Sequence, residues 1–261
     1  MFDALAIGAT GMHAQQMNVD VIANNLANVQ TAGYKKSRVV FADLVTSAQV
    51  LQARAGEGGP LVALQPAGAG VALPMPSRLF DAGDLKKTDS AWDLAIQGDG
   101  FLELALPDGT RAYSRGGTLK VNADGQLATQ AGIPLKPGIL VPDNTEALLV
   151  SATGRVQARV SGQAALVEAG QLELVRFANP GGLLAQGGGL YRSTDASGEA
   201  IAGRAGEDGV GTLAQGYLEG SNVKLVEEMV NLMVAQRAYE ASAKVVQASD
   251  EMLGIVNGLR R

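Results

Sequence analysis

The chain has 261 residues, of which 46% are hydrophobic, and it carries a formal net charge of −5 and no cysteine. The acidic balance argues against a nucleic-acid-binding surface, which needs clustered Lys and Arg to neutralise phosphates. The lack of cysteine excludes disulfide frameworks and thiolate metal sites, and the length allows one large domain or two.

The first predicted element is an N-terminal helix that runs to about Val29. Its apolar positions form two columns with the seven-residue spacing of a coiled-coil seam. Helix-breaking residues then lead to an expected C′ glycine, Gly33. Near this end, Asn24, Asn25 and Asn28 carry amides that donate and accept hydrogen bonds at once; the alternative is a frayed helix end with solvated amides. The two columns are Phe2, Ala9, Gln16 and Ala23, and Leu5, Met12, Val19 and Leu26.

A linker and an extended arm are expected over residues 34–78. Tyr34–Phe41 is predicted to be an extended or turn segment, and Asp43–Ala53 a short helix. From Gly56 to Pro76 the composition changes to Gly, Pro, Ala and Leu without periodicity, which is typical of a long loop or arm rather than a packed element. Such a loop in a compact domain is usually functional or disordered.

Strand patterns dominate residues 79–220. Leucines alternate over Leu102–Leu106 before a Pro107–Gly109 turn, and the pattern resumes at Arg111–Ser114, which predicts a hairpin. Asn122–Gly125 is a second turn signal. Several short strands between Gly- and Asp-rich turns indicate an antiparallel barrel or sandwich.

A long C-terminal helix is predicted over Ser221–Arg261, and the rest of the chain is organised around it. Its apolar residues form heptad columns, but the neighbouring columns are apolar too, so the helix needs cover on several sides. At ~1.5 Å per residue it is about 60 Å long, too long to be wrapped inside a small domain. The first column is Leu225, Leu232, Tyr239, Val246 and Leu253, and the second is Met229, Gln236, Ala243 and Asp250.

The two terminal helices are expected to pair, because both carry heptad columns that include a polar residue, Gln16 in one and Gln236 in the other. A pair leaves one side of the longer helix uncovered, the side of Val226, Val230, Val234 and Ala241. Each exposed Leu- or Val-sized side chain forfeits ~1.5–3 kcal/mol of burial. Other copies of the chain are therefore the predicted cover. The alternative is that both helices are ordinary amphipathic helices packed on the chain's own core.

These elements together predict a discontinuous α+β fold. Paired terminal helices, residues 1–33 and 221–261, form a coiled-coil domain. Residues 34–78 form a linker and an extended Gly/Pro-rich arm, and an antiparallel β-rich domain, residues 79–220, is inserted between the helices.

No pattern for catalysis, cofactor binding or metal binding emerges from the residues. His13 is the sole histidine and lies on a predicted helix, where no Ser-His-Asp or metal-ligand pattern surrounds it. The Asp-Gly turns lack the ligand spacing of a calcium loop, and Gly8–Gly11 lacks the Lys-Ser/Thr of a phosphate loop. We expect no catalytic residue, cofactor or metal. We also expect no membrane-spanning segment and no cleavable signal peptide, because the N-terminus lacks a basic region and a long apolar run.

Five stretches at both ends and in the middle of the chain carry a resemblance to a known family: Ala23–Lys35, Gly83–Leu85, Asp93–Phe101, Leu106–Thr110 and Gln215–Glu240. They resemble the axial proteins of the bacterial flagellum, the rod and hook family. The resemblance covers most of the chain. The chain length and the runs Tyr217–Val223 and Val226–Val230 are most similar to the distal-rod members; the proximal-rod members are close competitors.

The resemblance implies a structural subunit of a tubular axle in the flagellar basal body. The paired helices would line the inner wall, the β domain would lie outside, and the Gly-rich region, about Thr46–Pro76, would be associated with stiffness. The implied homopolymer is a rigid rod that spans the periplasm to the outer membrane, transmits torque to the hook and forms part of the export channel.

The resemblance also implies partners. They are other copies of the chain, the proximal rod proteins, the hook protein, the L- and P-ring proteins as a bushing, and the flagellar export apparatus, with no nucleic acid and no membrane insertion. The residues expected at the assembly interface are Leu5, Met12, Val19, Asn24, Asn25, Leu26, Asn28, Leu225, Met229, Leu232, Gln236, Tyr239, Val246 and Leu253.

Two other classes of function remain open on the sequence. In a secreted adhesin or binding module, the β domain would carry the function and the terminal helices would be dispensable. A carboxylate-based hydrolase of the cell wall is supported only by the presence of Asp and Glu.

Overall fold

The computed structural model describes residues 2–46, 67–72, 75–162, 165–207 and 209–259. An N-terminal helix, a β-rich middle and a C-terminal helix follow one another along the chain, so the predicted α+β composition is confirmed. The chain divides into two compact units. The first unit comprises residues 1–27, 37–77 and 224–261, and the second comprises residues 28–36 and 78–223.

Two helices, α1 (Phe2–Ala27) and α2 (Leu225–Leu259), pack against each other in the first unit. Small side chains allow their backbones to come close. A Cβ added at Gly8 would meet Val246 Cγ2 at 2.8 Å, and one at Gly11 would lie 3.6 Å from Ser242 Oγ. The helix pair is therefore held by close backbone approach rather than by large interlocking side chains.

The buried positions of α2 lie one residue before the predicted second column; they include Glu228, Ala235 and Ser249. On α1 the buried positions include Ala14, Ile22 and Asn25, and the predicted second column of α1 is half-buried. The predicted seam is therefore wrong by one residue on α2, where small side chains let the helices approach. The exposed members of the predicted columns are Ala9, Gln16, Ala23, Leu225, Met229, Gln236, Tyr239 and Asp250.

Two short strand pairs accompany the helices of the first unit. Strand β1 (Ser37–Val40) pairs with β4 (Met75–Arg78), and β2 (Asp43–Thr46) pairs with β3 (Ala67–Val71) in antiparallel register. Strand β3 packs on α1, and Gly70, at φ 108°, comes so close that an added Cβ would overlap Thr10 Oγ1.

The linker and arm predictions are partly wrong. Residues 43–46 are a strand and not the start of a helix, and residues 47–53 lie outside the described residues. Within the predicted arm, residues 67–71 and 75–76 belong to paired strands, and residues 56–66 and 73–74 lie outside the described residues. Strand β3 contains glycines and so lacks the alternation of apolar and polar residues that predicts a strand. The same glycines permit the close approach of β3 to α1.

The described residues of the second unit form short strands and one 3-10 turn, Pro180–Gly182. Each described pairing between its strands is antiparallel. Its strands are β5 Leu85–Lys87, β6 Asp93–Gln97, β7 Phe101–Ala105, β8 Arg111–Ser114, β9 Gly116–Val121, β10 Leu127–Thr129, β11 Leu135–Lys136, β12 Thr145–Val150, β13 Arg155–Val160, β14 Val167–Gln171, β15 Glu173–Arg176, β16 Leu184–Gly187, β17 Leu190–Arg192, β18 Ile201–Arg204, β19 Thr212–Gln215 and β20 Tyr217–Glu219.

The strands form several sheets. Their orders are β10-β9-β6-β19, β16-β17-β8-β7-β15-β18 with β11 on β7, β12-β13-β14, and β20-β5. The predicted hairpin of β7 and β8 is confirmed, with Ala105 opposite Arg111, and the predicted turn before β10 is confirmed, with Val121 opposite Leu127.

The core of the second unit has an aliphatic and an aromatic part. Leucines and valines of β6, β7, β13 and β15 fill the aliphatic part. The aromatic part is an edge-to-face cluster in which the ring centroids of Tyr113 and Phe177 are 4.8 Å apart and those of Phe80 and Phe101 are 5.3 Å apart. The Arg115 guanidinium lies 5.6 Å from the Phe101 ring centroid, so this cluster forms one wall of a buried charged site.

Candidate assembly surface

The first three turns of α2 expose a group of large apolar side chains. We call this group the N-terminal patch of α2; it consists of Leu225, Val226, Met229, Val230, Met233 and Val234. Val226 is 74% exposed and Val234 is 63% exposed. Large contiguous apolar patches are uncommon on monomeric soluble proteins and mark interaction sites.

A second exposed apolar group lies near the end of α2. We call Val245, Met252 and Ile255 the C-terminal patch of α2. Charged residues separate the two patches along the helix, and among them Arg237 Nη1 lies 3.0 Å from Glu240 Oε2. An exposed ion pair of this kind contributes at most about 1 kcal/mol to stability, and the same stretch of the helix also exposes Tyr239 and Ala241.

The structure divides the residues expected at the assembly interface into three groups. The exposed ones are Asn24, Leu225, Met229, Gln236 and Tyr239. The half-buried ones are Leu5, Met12, Val19, Leu26, Asn28, Leu232, Val246 and Leu253. Asn25 alone among them is buried. The exposed residues, together with the uncovered Val226, Val230 and Val234 foreseen from the heptads, are accessible to another chain.

Asn25 lies at the end of α1 and connects three segments of the first unit. Its Nδ2 donates to the Ser37 carbonyl oxygen at 2.8 Å and to Glu228 Oε2 at 3.3 Å, and its Oδ1 accepts from the Ser37 N–H at 2.9 Å. The side chain therefore pairs with a residue of β1 and with α2 at once. The alternative of a solvated amide at a frayed helix end is wrong for this residue.

A buried charge cluster organises the second unit. The Glu219 carboxylate lies 2.7 Å from Lys35 Nζ and 3.2 Å from Arg115 Nε, and it accepts a hydrogen bond of 3.0 Å from the Gly83 N–H. The Lys35 ammonium also donates to the Asp81 carbonyl oxygen at 2.7 Å. Lys35, Arg115 and Glu219 are all buried, so neither bulk water nor salt screens them effectively.

The charges in this cluster control its ionisation. Burial alone would raise the pKa of Glu219, but the charges of Arg115 and Lys35 outweigh burial and hold its pKa below the ordinary value of 4.5. Burial, together with the nearby Arg115 charge, lowers the pKa of Lys35. A carboxylate held between two cations remains ionised at neutral pH, which suits a structural tie.

The flagellar-like stretches of the sequence converge on this cluster. Lys35 ends the first stretch, Glu219 lies in the last, and Gly83 opens a central one. Arg115 donates to the carbonyl oxygens of Gly98 and Gly100, at 2.9 and 2.6 Å, in another central stretch. The sequence spacing of Lys35, Arg115 and Glu219 does not indicate that these residues lie close together. The family resemblance of the stretches around them was the only indication in the sequence.

The Asn222 side chain also connects separate segments of the second unit, and it was not identified from the sequence. Its Oδ1 accepts from the Lys36 N–H at 2.7 Å, and its Nδ2 donates to the carbonyl oxygen of Leu79 at 3.0 Å. Nearby, Gly83 approaches Gly220 so closely that a Cβ would overlap its carbonyl oxygen. These contacts bring three segments that are distant in sequence into one packed region of the second unit.

The described residues give little support for a ligand-binding or metal-binding site. A polar cleft of about 500 Å³ is lined by Thr110, Arg111, Tyr113, Arg192, Ser193, Glu199 and Ala200. Arg111 in this cleft is paired with Glu103 at 3.3 Å. Within the described residues, no three His, Cys, Asp or Glu side chains are grouped to hold a metal ion, and no described helix has the length and apolar character to cross a membrane.

Models of three protein families match successive parts of the chain. Residues 5–35 match "Flagella basal body rod protein", residues 95–158 match "Flagellar hook protein FlgE/F/G D1 domain", and residues 214–259 match "Flagellar basal body rod FlgEFG protein C-terminal". The first match includes most of α1, and the last match includes all of α2, which carries both exposed patches.

Full-length relatives share the same description. The chain is 44% identical over 267 residues to the flagellar basal-body rod protein FlgG of Borreliella burgdorferi, covering 100% of both chains. It is 42% identical to FlgG of Buchnera aphidicola, over 97% of this chain and 98% of the relative. It is 41% identical to FlgG of Caulobacter vibrioides, over 98% and 99%.

Proposed function

The chain belongs to the family of flagellar basal-body rod proteins, and on that premise we propose that it is the subunit of the distal rod, a rigid helical tube. In this role it transmits torque from the motor to the hook and forms part of the export channel. It is a structural component of the flagellar basal body, as the names of its relatives describe.

The observation that carries the proposal is the exposed apolar surface of α2. Among the described residues of the first unit, buried polar groups such as Asn25 and Glu228 have hydrogen-bond partners. Its large Val, Met and Ile side chains instead face outward. Burial in a neighbour recovers ~1.5–3 kcal/mol for each such side chain, so association with other copies is the favoured way to cover the surface.

The presence of two separate patches supports an open helical assembly. An interface between different surfaces of identical subunits produces a filament when its rotation does not close a ring. The N-terminal and C-terminal patches lie toward opposite ends of α2. Each can therefore meet a different neighbour, as a tube of subunits requires.

The proposed partners follow from a position in the rod. At its ends the assembly meets the proximal rod proteins and the hook protein, and along its length the L- and P-ring proteins act as a bushing. The flagellar export apparatus delivers the subunit without cleavage of a signal peptide, and the rod spans the periplasm to the outer membrane. The subunit acts by binding and not by catalysis.

The nearest alternative is a proximal rod subunit, and a more distant one is a secreted binding module whose β-rich unit carries the function. The two classes differ in what they require of α1 and α2. A rod subunit needs both helices for assembly, whereas a binding module retains its activity without them.

Deletion of residues 1–30 tests the proposal in cells that lack the native gene. We expect the intact chain to restore motility and the deletion to leave basal bodies without a distal rod in electron micrographs. Circular dichroism of the purified deletion would check that the β-rich unit is still folded. Normal rods built from the shortened chain would overturn the proposal, and basal bodies truncated before the proximal rod would favour the alternative.

A further inference from the structure

Sulfur is confined to one of the two units of this protein. The chain has no cysteine and seven methionines. All seven lie within the residue ranges of the first unit, and none lies in the second. Methionine is the adaptable apolar residue of binding surfaces, and its thioether can be oxidised. An oxidant that attacks methionine therefore acts on the assembly unit and spares the β-rich unit. The methionines are Met1, Met12, Met17, Met75, Met229, Met233 and Met252.

Two of these methionines lie side by side in the N-terminal patch of α2. Met229 is 51% exposed and Met233 is 58% exposed. They are four residues apart, so their side chains are neighbours on the helix surface. Val226 lies three residues before Met229 and Val230 lies three residues before Met233, so both valines are neighbours of the pair. The side chains of the patch carry no hydrogen-bond donor; the donors three and four residues after Met233 on α2 are Gln236 and Arg237, and Arg237 is paired with Glu240.

The chemistry of oxidation is simple and balanced. A peroxide transfers one oxygen atom to the thioether sulfur; the S–O bond forms as the O–O bond breaks, and hydrogen peroxide leaves as water. The sulfur is oxidised to a sulfoxide and the peroxide is reduced. The product is a polar side chain with a strong hydrogen-bond acceptor, and burying such a group at an apolar interface is costly unless a donor meets it.

We propose that Met229 and Met233 are an oxidation-sensitive site that decides whether a subunit can join the assembly. Before assembly both thioethers are open to peroxide, and the sulfoxide form is rejected because it cannot be buried in a neighbouring copy. After assembly the neighbour shields both sulfurs. The inference rests on the proposed self-assembly and adds a covalent control to the same surface.

Other methionines of the chain provide internal controls. Met75, on β4, is 80% exposed but lies outside both patches of α2. Met12 and Met17 are half-buried on α1. Peroxide is therefore expected to modify Met75 at least as readily as the patch, with no effect on assembly. The folded β-rich unit serves as a further control through its buried Tyr113 and Tyr191, whose near-UV signal should not change.

The experiment treats the purified full-length chain with limiting hydrogen peroxide, maps sulfoxides by peptide mass spectrometry and measures polymer formation by sedimentation. We expect the critical concentration for polymerisation to rise at least about tenfold once Met229 and Met233 are oxidised, because burying even one unpaired polar group has about that effect. Treatment with methionine sulfoxide reductases should restore assembly. In preformed polymer, both residues should resist the same dose.

Matched variants separate this site from general damage. The double variant M229L/M233L keeps the volume and apolar character of the patch and should assemble after peroxide treatment, whereas M75L should lose assembly as the wild type does. If the double variant does not assemble before treatment, the single variants M229L and M233L permit the same comparison. Each should show about half of the wild-type effect of peroxide on polymerisation.

The outcomes also distinguish this inference from the proposed function. Failure of untreated wild-type protein to polymerise would count against both. If untreated protein polymerises and the doubly oxidised protein does so equally well, the oxidation-sensitive site is refuted and the rod function stands. Equal oxidation of Met229 and Met233 in polymer and in soluble protein would refute the shielding, and with it the site.

Discussion

Asn25 and Glu228 are hydrogen-bonded across the helix pair, with Asn25 Nδ2 3.3 Å from Glu228 Oε2, and both side chains are buried. They are 203 residues apart in the sequence. A buried polar contact in a helix seam sets the register of the two helices, because any slip leaves polar groups unpaired. This contact therefore fixes how α2 lies along α1, and hence which side of α2 is exposed.

Asn25→Leu should destabilise the first unit. The change keeps the approximate size of the side chain but leaves the Ser37 N–H and carbonyl and the Glu228 carboxylate without this partner. We expect a loss of about 1–3 kcal/mol in the free energy of unfolding, measured from urea titrations followed by helical circular dichroism. Gln16→Leu, at an exposed position on the same helix, is the control. Similar losses in the two variants would show that the Asn25 contacts are not structural.

Gly8→Ala should weaken the helix pair even though alanine is the better helix former. The new Cβ would lie 2.8 Å from Val246 Cγ2, and such overpacking costs ~1–3 kcal/mol. The second change V246A should restore much of the loss by making room. Gly254→Ala is the matched control, because nothing lies within 4 Å of its added Cβ, and it should raise helix stability by up to about 1 kcal/mol. Thermal unfolding of the four proteins would check the expected order.

Val230→Asp should abolish assembly without unfolding the chain. Val230 is exposed in the N-terminal patch of α2, so a carboxylate there is tolerated in the soluble subunit but is buried unpaired at an interface. We expect no sedimenting polymer and no swarming in soft agar, with unchanged near-UV circular dichroism. The control is Gln247→Asp, at an exposed polar position on the same helix; a strain that carries it should swarm normally. Motility of the Val230→Asp strain would show that the patch is not part of the assembly interface.

Glu219→Gln should be strongly destabilising for the second unit. It leaves the buried Lys35 and Arg115 cations without their counter-charge, and breaking a buried charge pair costs ~3–5 kcal/mol. Glu168→Gln is the control, because the Arg155–Glu168 pair is exposed and should be worth no more than about 1 kcal/mol. Urea unfolding followed by tyrosine fluorescence measures both. The double change K35M/E219Q should recover part of the loss by removing one unpaired cation.

The contribution of Glu219 should also depend on pH. Its pKa is lower in the folded protein than the ordinary value of 4.5, through the charges of Arg115 and Lys35. In the window between the two values the unfolded chain binds more protons, so stability rises with pH. The contribution is fully present above 4.5 and is lost as pH falls through the folded pKa. Unfolding free energies of wild type and Glu219→Gln, measured from neutral to acid pH, should therefore converge at low pH; a constant difference would contradict this assignment.

Local patterns in the sequence were sufficient for several parts of the fold. The heptad columns located both terminal helices, and turn residues such as Pro107–Gly109 located the β7–β8 hairpin. The spacing of Val226, Val230 and Val234 also foresaw the uncovered side of α2. These predictions succeed because helix and strand periodicity and turn chemistry are properties of neighbouring residues.

The remaining features depended on contacts between distant segments. The observed seam differs from the predicted one by one residue on α2, because Gly8, Ala235 and Ser242 allow the helix backbones to approach. The distance between two packed helices cannot be predicted from the residue pattern of either helix alone. The strand at Asp43–Thr46 forms because β3 pairs with it, against its local reading as a helix.

The sequence by itself determined the helices, the hairpins and the family. Only the tertiary structure brought Lys35 within 2.7 Å of Glu219 and buried Asn25 against Glu228 in the helix seam. The physical reason is that burial and charge pairing are shared between segments, so which side chains end up inside depends on what each one meets after folding.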